Sequence, residues 1–255
     1  MRALTIEKLS VNFGGVQALH EVSFSAEAGE KLAIIGPNGA GKTTLFNVIN
    51  GLLSPTSGRV FFSTQDITYM APHRRMHLGL SRSFQANRLL FDLTVLENIL
   101  LAIQSTRSCR FNFFHPITAD ADLISKAKTF LDKLDLWHKR YEPTKNISHG
   151  EQRKMEIALS LASEPKLLLL DEPSSGLTAT ESGAMVEMIR NLGAEITVLI
   201  VAHDMDLVFG VADRIMVLHY GEIIAEGVPR EIQNNAKVKE IYLGGEYKTE
   251  NARVI

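Results

Sequence analysis

Apolar residues form three short, almost uninterrupted runs along the chain. They are KLAIIG at residues 31–36, KLLLLDE at 166–172 and TVLIVAHD at 197–204. Runs of this length without polar alternation are typical of strands that are covered on both faces, as in a parallel sheet. The segments that follow the three runs have helical spacing: 42–52, 179–193 and 205–212. Because strands alternate with helices, the pattern predicts an α/β fold with a mainly parallel sheet.

Four other segments have a different pattern. Residues 3–30 and 58–67 alternate between apolar and polar positions, which predicts antiparallel strands against one side of the core. Residues from about 88 to 163 are mostly helical in pattern, and they lie between core segments of the sheet. We therefore expect a helical subdomain inserted into a single domain that spans residues 1–255. The polar stretch from about 229 to 255 predicts a C-terminal helical tail.

Composition and charge exclude some classes of protein. The chain has 27 Lys and Arg against 29 Asp and Glu, a net charge of −2, which argues against binding nucleic acid or anionic lipid by charge alone. Its single cysteine, Cys109, cannot form an internal disulfide, so a reducing compartment is expected. The longest apolar runs, 167–170 and 198–202, are far shorter than the ~20 residues of a membrane span. If the protein works at a membrane, another chain must provide the span.

A phosphate-binding motif follows the first predicted strand. GPNGAGKTT fits the pattern G-x-x-x-x-G-K-[S/T], in which backbone N–H groups of a glycine-rich loop point at phosphate oxygens. Lys42 would reach the outer phosphates, and the Thr43 hydroxyl would bind Mg²⁺. The candidate nucleotide-binding residues are Gly36, Pro37, Asn38, Gly39, Ala40, Gly41, Lys42, Thr43 and Thr44.

Two carboxylates end the second apolar run. Asp171 and Glu172 stand at the carboxyl end of a predicted buried strand, where open α/β sheets bind their ligands. Asp171 is suited to hold Mg²⁺, and Glu172 could polarise an attacking water as a general base. The alternative is that acidic residues simply end the strand.

Three single residues are weaker candidates. Gln85, after another candidate strand, could orient a water or contact Mg²⁺, and His203 leaves the third core strand at the same edge. Phe13 could stack on a nucleotide base. Taken alone, each has a more ordinary interpretation: a solvated loop residue for Gln85, a helix cap or core residue for His203, and a core residue for Phe13.

A second helix start could also hold an anion. In ISHGEQ, residues 147–152, Ser148 and Gly150 precede a segment with helical spacing. A hydroxyl N-cap followed by free backbone N–H groups is suited to a phosphate. The spacing leaves open whether this loop serves a nucleotide of its own chain or of another chain.

The order of these motifs resembles the ATP-binding cassette of ABC transporters over nearly the whole chain. The P-loop, Gln85, ISHGEQ, LLLLDEP, SSGL and His203 follow one another as in that family. Its signature is usually L-S-G-G-Q, and here it is occupied by Ser148, His149, Gly150, Glu151 and Gln152. The bulky third residue, the following EQR and the segments 201–227 and 238–244 are similar to cassettes of branched-chain amino-acid importers, of the larger (G-type) kind.

The resemblance implies a fold and a set of roles. The fold would be a P-loop NTPase core with an antiparallel β subdomain and the inserted helical subdomain. Phe13 would stack on adenine, Gln85 would sense Mg²⁺, and His203 would contact the γ-phosphate. Asp171 would be the metal-side acid and Glu172 the general base. The ligands would be ATP and Mg²⁺.

The resemblance also implies partners and a location. Two cassettes, as a homodimer or heterodimer, would face head to tail, so that each signature loop covers the ATP of the other. Two membrane permease subunits and, indirectly, a periplasmic or extracellular solute-binding protein would complete an importer, with no nucleic acid. The chain would lie peripherally on the cytoplasmic face of the inner (plasma) membrane.

Two departures from the family pattern and three alternatives remain. Thr178 stands where Asp or Asn is usual, and Ala202 stands where this subset commonly has Glu. A cassette does not contact the cargo, so a urea, amide or other small-solute importer is one alternative. A soluble ABC ATPase outside transport is a second. A module that holds ATP without hydrolysing it is a third, and Glu172 and His203 argue against it.

Overall fold

The computed structural model describes residues 1–83, 89–105 and 120–243, with the side chains of residues 242 and 243 left out of the description. Its strands are β1 (Arg2–Phe13), β2 (Val16–Glu27), β3 (Lys31–Ile35), β4 (Ser57–Phe62), β5 (Gln65–Asp66), β6 (Leu80–Ser83), β7 (Leu167–Asp171), β8 (Thr197–Val201), β9 (Arg214–His219) and β10 (Glu222–Gly227). Its α-helices are α1 (Lys42–Asn50), α2 (Pro72–His77), α3 (Val95–Ser105), α4 (Ala121–Lys133), α5 (His149–Leu161), α6 (Ala179–Arg190), α7 (Met205–Val211), α8 (Pro229–Asn234) and α9 (Ala236–Leu243). Short 3₁₀ turns occupy Trp137–Lys139 and Thr144–Asn146.

The central sheet has the strand order β10-β9-β3-β8-β7-β6 in the part of the chain described. Every pair from β9 to β6 is parallel, and only β10 runs antiparallel to its neighbour. The carboxyl ends of β3, β7 and β8 therefore meet at one edge, where ligands bind in open α/β sheets. This confirms the predicted mainly parallel sheet and brings the motifs after the three apolar runs to one side of the molecule.

The run of four leucines shows why the core strands lack polar alternation. Leu167 and Leu169 join the apolar cluster that contains α1 and the antiparallel sheet. Leu168 and Leu170 join the cluster on the opposite face, with α6 and α7. Since successive side chains of a strand point to opposite faces, a strand covered on both sides needs apolar residues at every position.

A second sheet, of order β2-β1-β4-β5, is antiparallel throughout. Its buried residues, such as Leu4, Ile6 and Val60, pack against the face of the central sheet that also carries α1. The alternation in residues 3–30 and 58–67 therefore predicted these strands correctly. The sheet extends to Phe13, the last residue of β1.

Helices α3, α4 and α5 enclose an apolar cluster of their own. Ile99, Leu131 and Met155 are among its fully buried members. Helix α5 also contributes Ile157 and Leu161 to the cluster on the face of the central sheet. This helix therefore packs on two sides, and it joins the helical group to the central sheet.

The hairpin of β9 and β10 was missed at the level of sequence. Its turn contains Tyr220 and Gly221, both with left-handed backbone (φ 46° and 78°), which suits a tight turn between twisted strands. The signal was present as two short β-rich runs separated by a glycine.

Within the described residues, no helix combines the length and the apolar character needed to cross a membrane.

Candidate active site

The loop between β3 and α1 is shaped by glycines. Gly36 and Gly41 have φ of 157° and 105°, values that side chains disfavour. A Cβ atom at Gly36 would overlap the carbonyl oxygen of Leu218, and one at Gly41 would lie 2.6 Å from the carbonyl oxygen of Ala18. The backbone of neighbouring strands therefore lies so close to the loop that side chains are excluded at these two positions.

The first turn of α1 is open to an anion. Its N-cap, Gly41, provides no side-chain hydrogen bond, and the turn contains no acidic residue. The free N–H groups and the positive end of the helix dipole are thus left for a negatively charged ligand. This arrangement fits the phosphates of a nucleotide.

Lys42 lies folded over the same loop. Its side chain is 8% exposed, and Nζ donates hydrogen bonds to the carbonyl oxygens of Gly36 (2.6 Å) and Pro37 (3.0 Å). Burial lowers the pKa of Lys42, whereas the carboxylates of Glu172 and Asp171 oppose this shift. The ammonium group therefore lies within the field of both carboxylates that end β7.

Asp171 is the last residue of β7 and is almost fully buried. Its Oδ2 accepts a hydrogen bond of 2.6 Å from Nη2 of Arg82, and Nη1 of the same guanidinium donates to Oδ1 of Asn47 in α1 at 2.7 Å. Arg82 thus ties the acid to the helix that follows the phosphate loop. Sequence reasoning missed Arg82, although an arginine within the strand LSRS was a visible signal.

Glu172 follows directly and has an unusual backbone. Its φ is +50°, in the left-handed region, and its N–H donates to the carbonyl oxygen of Val201 in β8 at 2.8 Å. Its Oε2 lies 2.5 Å from Nδ1 of His203, a side chain that is 69% exposed. The structure therefore brings together Glu172, the predicted general base, and His203, the predicted contact to the γ-phosphate.

The oxygen donors of the site suit Mg²⁺. Thr43 is exposed in the first turn of α1, and Asp171 ends the strand beside Lys42. Hydroxyl and carboxylate oxygens are the ligands that this hard cation prefers. Thr43 and Asp171 thus fit the ion, while the third candidate, Gln85, lies outside the described residues.

Phe13 ends β1 with its side chain 52% exposed. The ordinary interpretation of this residue as part of the apolar core is therefore wrong. An exposed aromatic ring at the end of a strand is available to stack on a planar base.

The signature loop forms the start of α5, as predicted. Ser148 is the N-cap: its Oγ accepts from the backbone N–H of Glu151 at 3.2 Å, and the Glu151 carboxylate accepts from the N–H of Ser148 at 2.8 Å. Ser148 and His149 are exposed, whereas Gly150 is buried. This capping box holds the serine at the outer surface of the helix start.

The Glu151 carboxylate also pairs with Lys139, with 2.7 Å between Nζ and Oε1. Burial acts to raise the pKa of Glu151, but the hydrogen bonds from Lys139 and from the Ser148 backbone outweigh it, so the pKa lies below its usual value. Gln152 turns inward, where Nε2 donates to the carbonyl oxygens of Thr144 (3.1 Å) and Ile147 (3.3 Å). The amide of Gln152 therefore holds the signature loop to the preceding chain.

The signature loop contacts the start of α6. A Cβ atom at Gly150 would lie 2.5 Å from Oε1 of Glu181, and one at Gly176 would lie 3.1 Å from Cε1 of His149. Hydrogen bonds from the Thr178 N–H and hydroxyl hold the pKa of Glu181 below its usual value, with a smaller contribution from the Gly150 N–H. Over the described residues, no hydrogen bond or ion pair joins residues 148–152 to the phosphate loop of the same chain.

The structure shows what each of the two residues that depart from the family pattern contacts. Thr178 is the N-cap of α6, with a capping box to Glu181, which is the function that Asp or Asn performs equally well. Ala202 is fully buried in the apolar cluster beside α7, where its methyl group fills space.

A further arginine was also missed by sequence reasoning. Arg153 of α5 donates from Nη2 to the carbonyl oxygen of Glu172 at 2.8 Å. It belongs to the EQR segment, whose only signal was its similarity to one group of cassettes.

Comparison with known families gives two matches along the chain. The sequence model described as "ABC transporter" matches residues 19–175. A second model, described as "Branched-chain amino acid ATP-binding cassette transporter", matches residues 222–248.

Two curated proteins of similar sequence are named for branched-chain amino acid transport. The chain is 34% identical over 250 residues to the high-affinity branched-chain amino acid transport ATP-binding protein LivG of Escherichia coli K12, covering 94% of this chain and 97% of the relative. It is 36% identical over 254 residues to the probable branched-chain amino acid transport ATP-binding protein LivG of Archaeoglobus fulgidus, covering 96% and 97%.

Solved structures agree with the fold. An ADP conformation of an ATP-binding cassette of an ABC transporter is similar, with a TM-score of 0.85 at 35% identity, over 96% of this chain and 99% of that one. A nucleotide-free cassette from an ABC transporter has a TM-score of 0.81 at 36% identity, over 95% and 99%.

Proposed function

Because this chain belongs to the ABC transporter family, we propose that it is the ATP-hydrolysing subunit of an importer for branched-chain or other hydrophobic amino acids. The observation that carries the proposal is the similarity over 94–96% of the chain to cassettes named for branched-chain amino acid transport. The separate match over residues 222–248 supports the same class of cargo, since it concerns a different part of the chain.

Hydrolysis is assigned to the edge of the central sheet. Phe13 stacks on the adenine, and residues 36–44 bind the phosphates through backbone N–H groups and Lys42. Glu172 orients the attacking water and takes its proton, while His203 contacts the γ-phosphate and holds the Glu172 carboxylate. Mg²⁺ held by Thr43, Asp171 and Gln85 would neutralise charge that develops on the phosphates.

A second ATP-binding cassette, identical or different, completes each site. Ser148 and His149 face outward, and the described signature residues make no polar contact with their own phosphate loop. The exposed helix start at Ser148 and His149 would donate to the γ-phosphate of an ATP held by the partner. ATP then joins the two cassettes, and its hydrolysis separates them, which provides a two-state motion.

The remaining partners follow from the role in import. Two permease subunits provide the membrane spans and bind near Gln85, and a solute-binding protein delivers the cargo. The cassette lies peripherally on the cytoplasmic face of the membrane.

We assign residues 1–255 to one ATP-binding domain, with about 88–163 as its helical insertion and about 229–255 as a C-terminal tail.

Replacing Glu172 tests the enzymatic part of the proposal. Glu172→Gln retains the shape of the side chain but removes the base, so the ATPase rate should fall by about 100-fold or more. ATP should then accumulate unhydrolysed, and size-exclusion chromatography should show a dimer only when ATP is present. Glu187→Gln on the exposed face of α6 is the control and should behave as wild type. Wild-type turnover by monomeric Glu172→Gln would contradict both the base and the dimer.

Reconstitution tests the cargo. Proteoliposomes that contain this chain with its two permease subunits and the solute-binding protein should take up labelled leucine when ATP is enclosed. The same vesicles with Glu172→Gln are the control and should show no uptake. Uptake of urea in place of leucine would assign the cassette to a different importer.

A further inference from the structure

We propose that Arg153 is a positioning residue that links the signature helix of each chain to the general base of the same chain. The inference rests on the proposed function, because it takes Glu172 as the base and α5 as the element that covers the partner's ATP. The contact joins the side chain of Arg153 to the backbone of Glu172, and Arg153 lies outside the five signature residues 148–152.

The guanidinium of Arg153 bridges two acceptors. Nη2 donates to the carbonyl oxygen of Glu172 at 2.8 Å, and Nη1 pairs with Oε2 of Glu156 at 2.6 Å. The side chains of Arg153 and Glu156 are only 12% and 11% exposed. Because Glu156 also lies on α5, its carboxylate fixes the orientation of the planar guanidinium. The second nitrogen, Nη2, then points at the loop after β7.

The backbone of Glu172 requires such support. A φ of +50° places a non-glycine residue in the left-handed region, which persists only where surrounding contacts hold it. The N–H of Glu172 is held by Val201 of β8, and its carbonyl oxygen is held by Arg153 of α5. Together, the two bonds fix the peptide units on both sides of the residue. The carboxylate is thereby kept against His203 at 2.5 Å.

The same helix faces two nucleotides. Its N-terminus presents the exposed Ser148 and His149 to the ATP of the partner, while Arg153, in its second turn, holds the base that acts on the ATP of its own chain. A movement of α5 when the partner's ATP binds is therefore transmitted to Glu172. Arg153 couples the two sites through one rigid helix.

The test compares Arg153→Met with Arg190→Met. Arg190 is the matched control, because it forms the same kind of i,i+3 pair, with Glu187 at 3.3 Å on the exposed face of α6. For purified Arg153→Met, kcat for ATP should fall by about 10- to 100-fold because the base is misplaced, while KM stays within about twofold. Arg190→Met should match wild type in both.

A second variant and a second measurement separate positioning from folding. Arg153→Lys retains a cationic hydrogen-bond donor and should recover part of the loss in kcat, and it serves as the test if the Met variant does not fold. In a Glu172→Gln background, Arg153→Met should still form the ATP-dependent dimer, because Ser148 and His149 are intact.

Two results would overturn the inference: a wild-type kcat in Arg153→Met, or loss of the ATP-dependent dimer together with kcat, which would show that Arg153 only maintains the signature helix. No recovery by Arg153→Lys would also count against it. All of these differ from failure of the proposed function, in which the wild-type chain itself would not hydrolyse ATP.

Discussion

At the scale of single residues, the charge of Glu151 bears directly on the proposed phosphate site. It places a carboxylate in the first turn of a helix whose N-terminus is proposed to bind a phosphate. The charge is tolerated because Lys139 forms an ion pair with the carboxylate, which also accepts a hydrogen bond from the N–H of Ser148. A negative charge at this position nevertheless opposes a second anion.

Removing that charge should favour ATP. Glu151→Gln can still accept the hydrogen bond from the Ser148 N–H, and it leaves the charge of Lys139 unbalanced near the proposed phosphate. We expect the ATP concentration for half-maximal dimerisation in a Glu172→Gln background to fall by about two- to fivefold. Glu164→Gln, which removes an exposed carboxylate paired with Lys126, is the control and should cause no change. A weaker response to ATP in Glu151→Gln would contradict the role of this charge.

At the scale of elements, the starts of α5 and α6 are held together. Both begin with a hydroxyl N-cap and a capping box, and Glu181 of α6 lies against Gly150 of α5. The two helices therefore share a junction beside the loop that follows Glu172. The stability of this junction depends on the caps, since exposed N–H groups at a helix start have no partner within the helix.

The cap of α6 can be tested directly. Thr178→Ala removes the oxygen that accepts from the Glu181 N–H, and the free energy of unfolding should fall by about 1 kcal/mol. Thr178→Asp restores a good N-cap and should retain the stability of the wild type. Urea unfolding monitored by circular dichroism measures both. Equal stability of the Ala and Asp variants would show that this cap does not stabilise the helix.

At the scale of the whole molecule, each nucleotide site is proposed to combine two chains. The phosphate loop and base come from the central sheet of one chain, and the signature helix comes from the other. Within one chain, Arg153 joins these two surfaces through α5. The assembly would therefore hydrolyse ATP in a coordinated way only when both chains are closed.

Mixing two inactive variants tests this arrangement. Lys42→Ala lacks a functional phosphate loop, and Ser148→Arg blocks the signature loop, so each alone should be inactive. In an equal mixture, one site of each mixed dimer is intact, so ATPase activity should return to at most about a quarter of the wild-type rate if two copies of this chain pair symmetrically. Ser148→Arg alone should still bind ATP. A mixture as inactive as its components would contradict pairing between two copies.

The candidate site residues of this protein were predicted from its sequence alone. The phosphate loop, the acidic pair Asp171 and Glu172, and the start of α5 at Ser148 were all assigned from short motifs in the correct context. These features depend on neighbours along the chain: a strand, a turn that requires glycine, and a helix that follows. Apolar runs also predicted the buried core strands, because burial on both faces leaves no polar positions.

The contacts between distant segments were decided only by the tertiary structure. The pairing of Arg82 with Asp171, the bond from Arg153 to Glu172 and the contact of Glu181 with Gly150 join residues that lie far apart in sequence. No local pattern records which arginine faces which acceptor, because that depends on the order of strands and the packing of α5. The sequence therefore predicted the groups that are proposed to carry out the chemistry, and the fold decided which residues hold them in place.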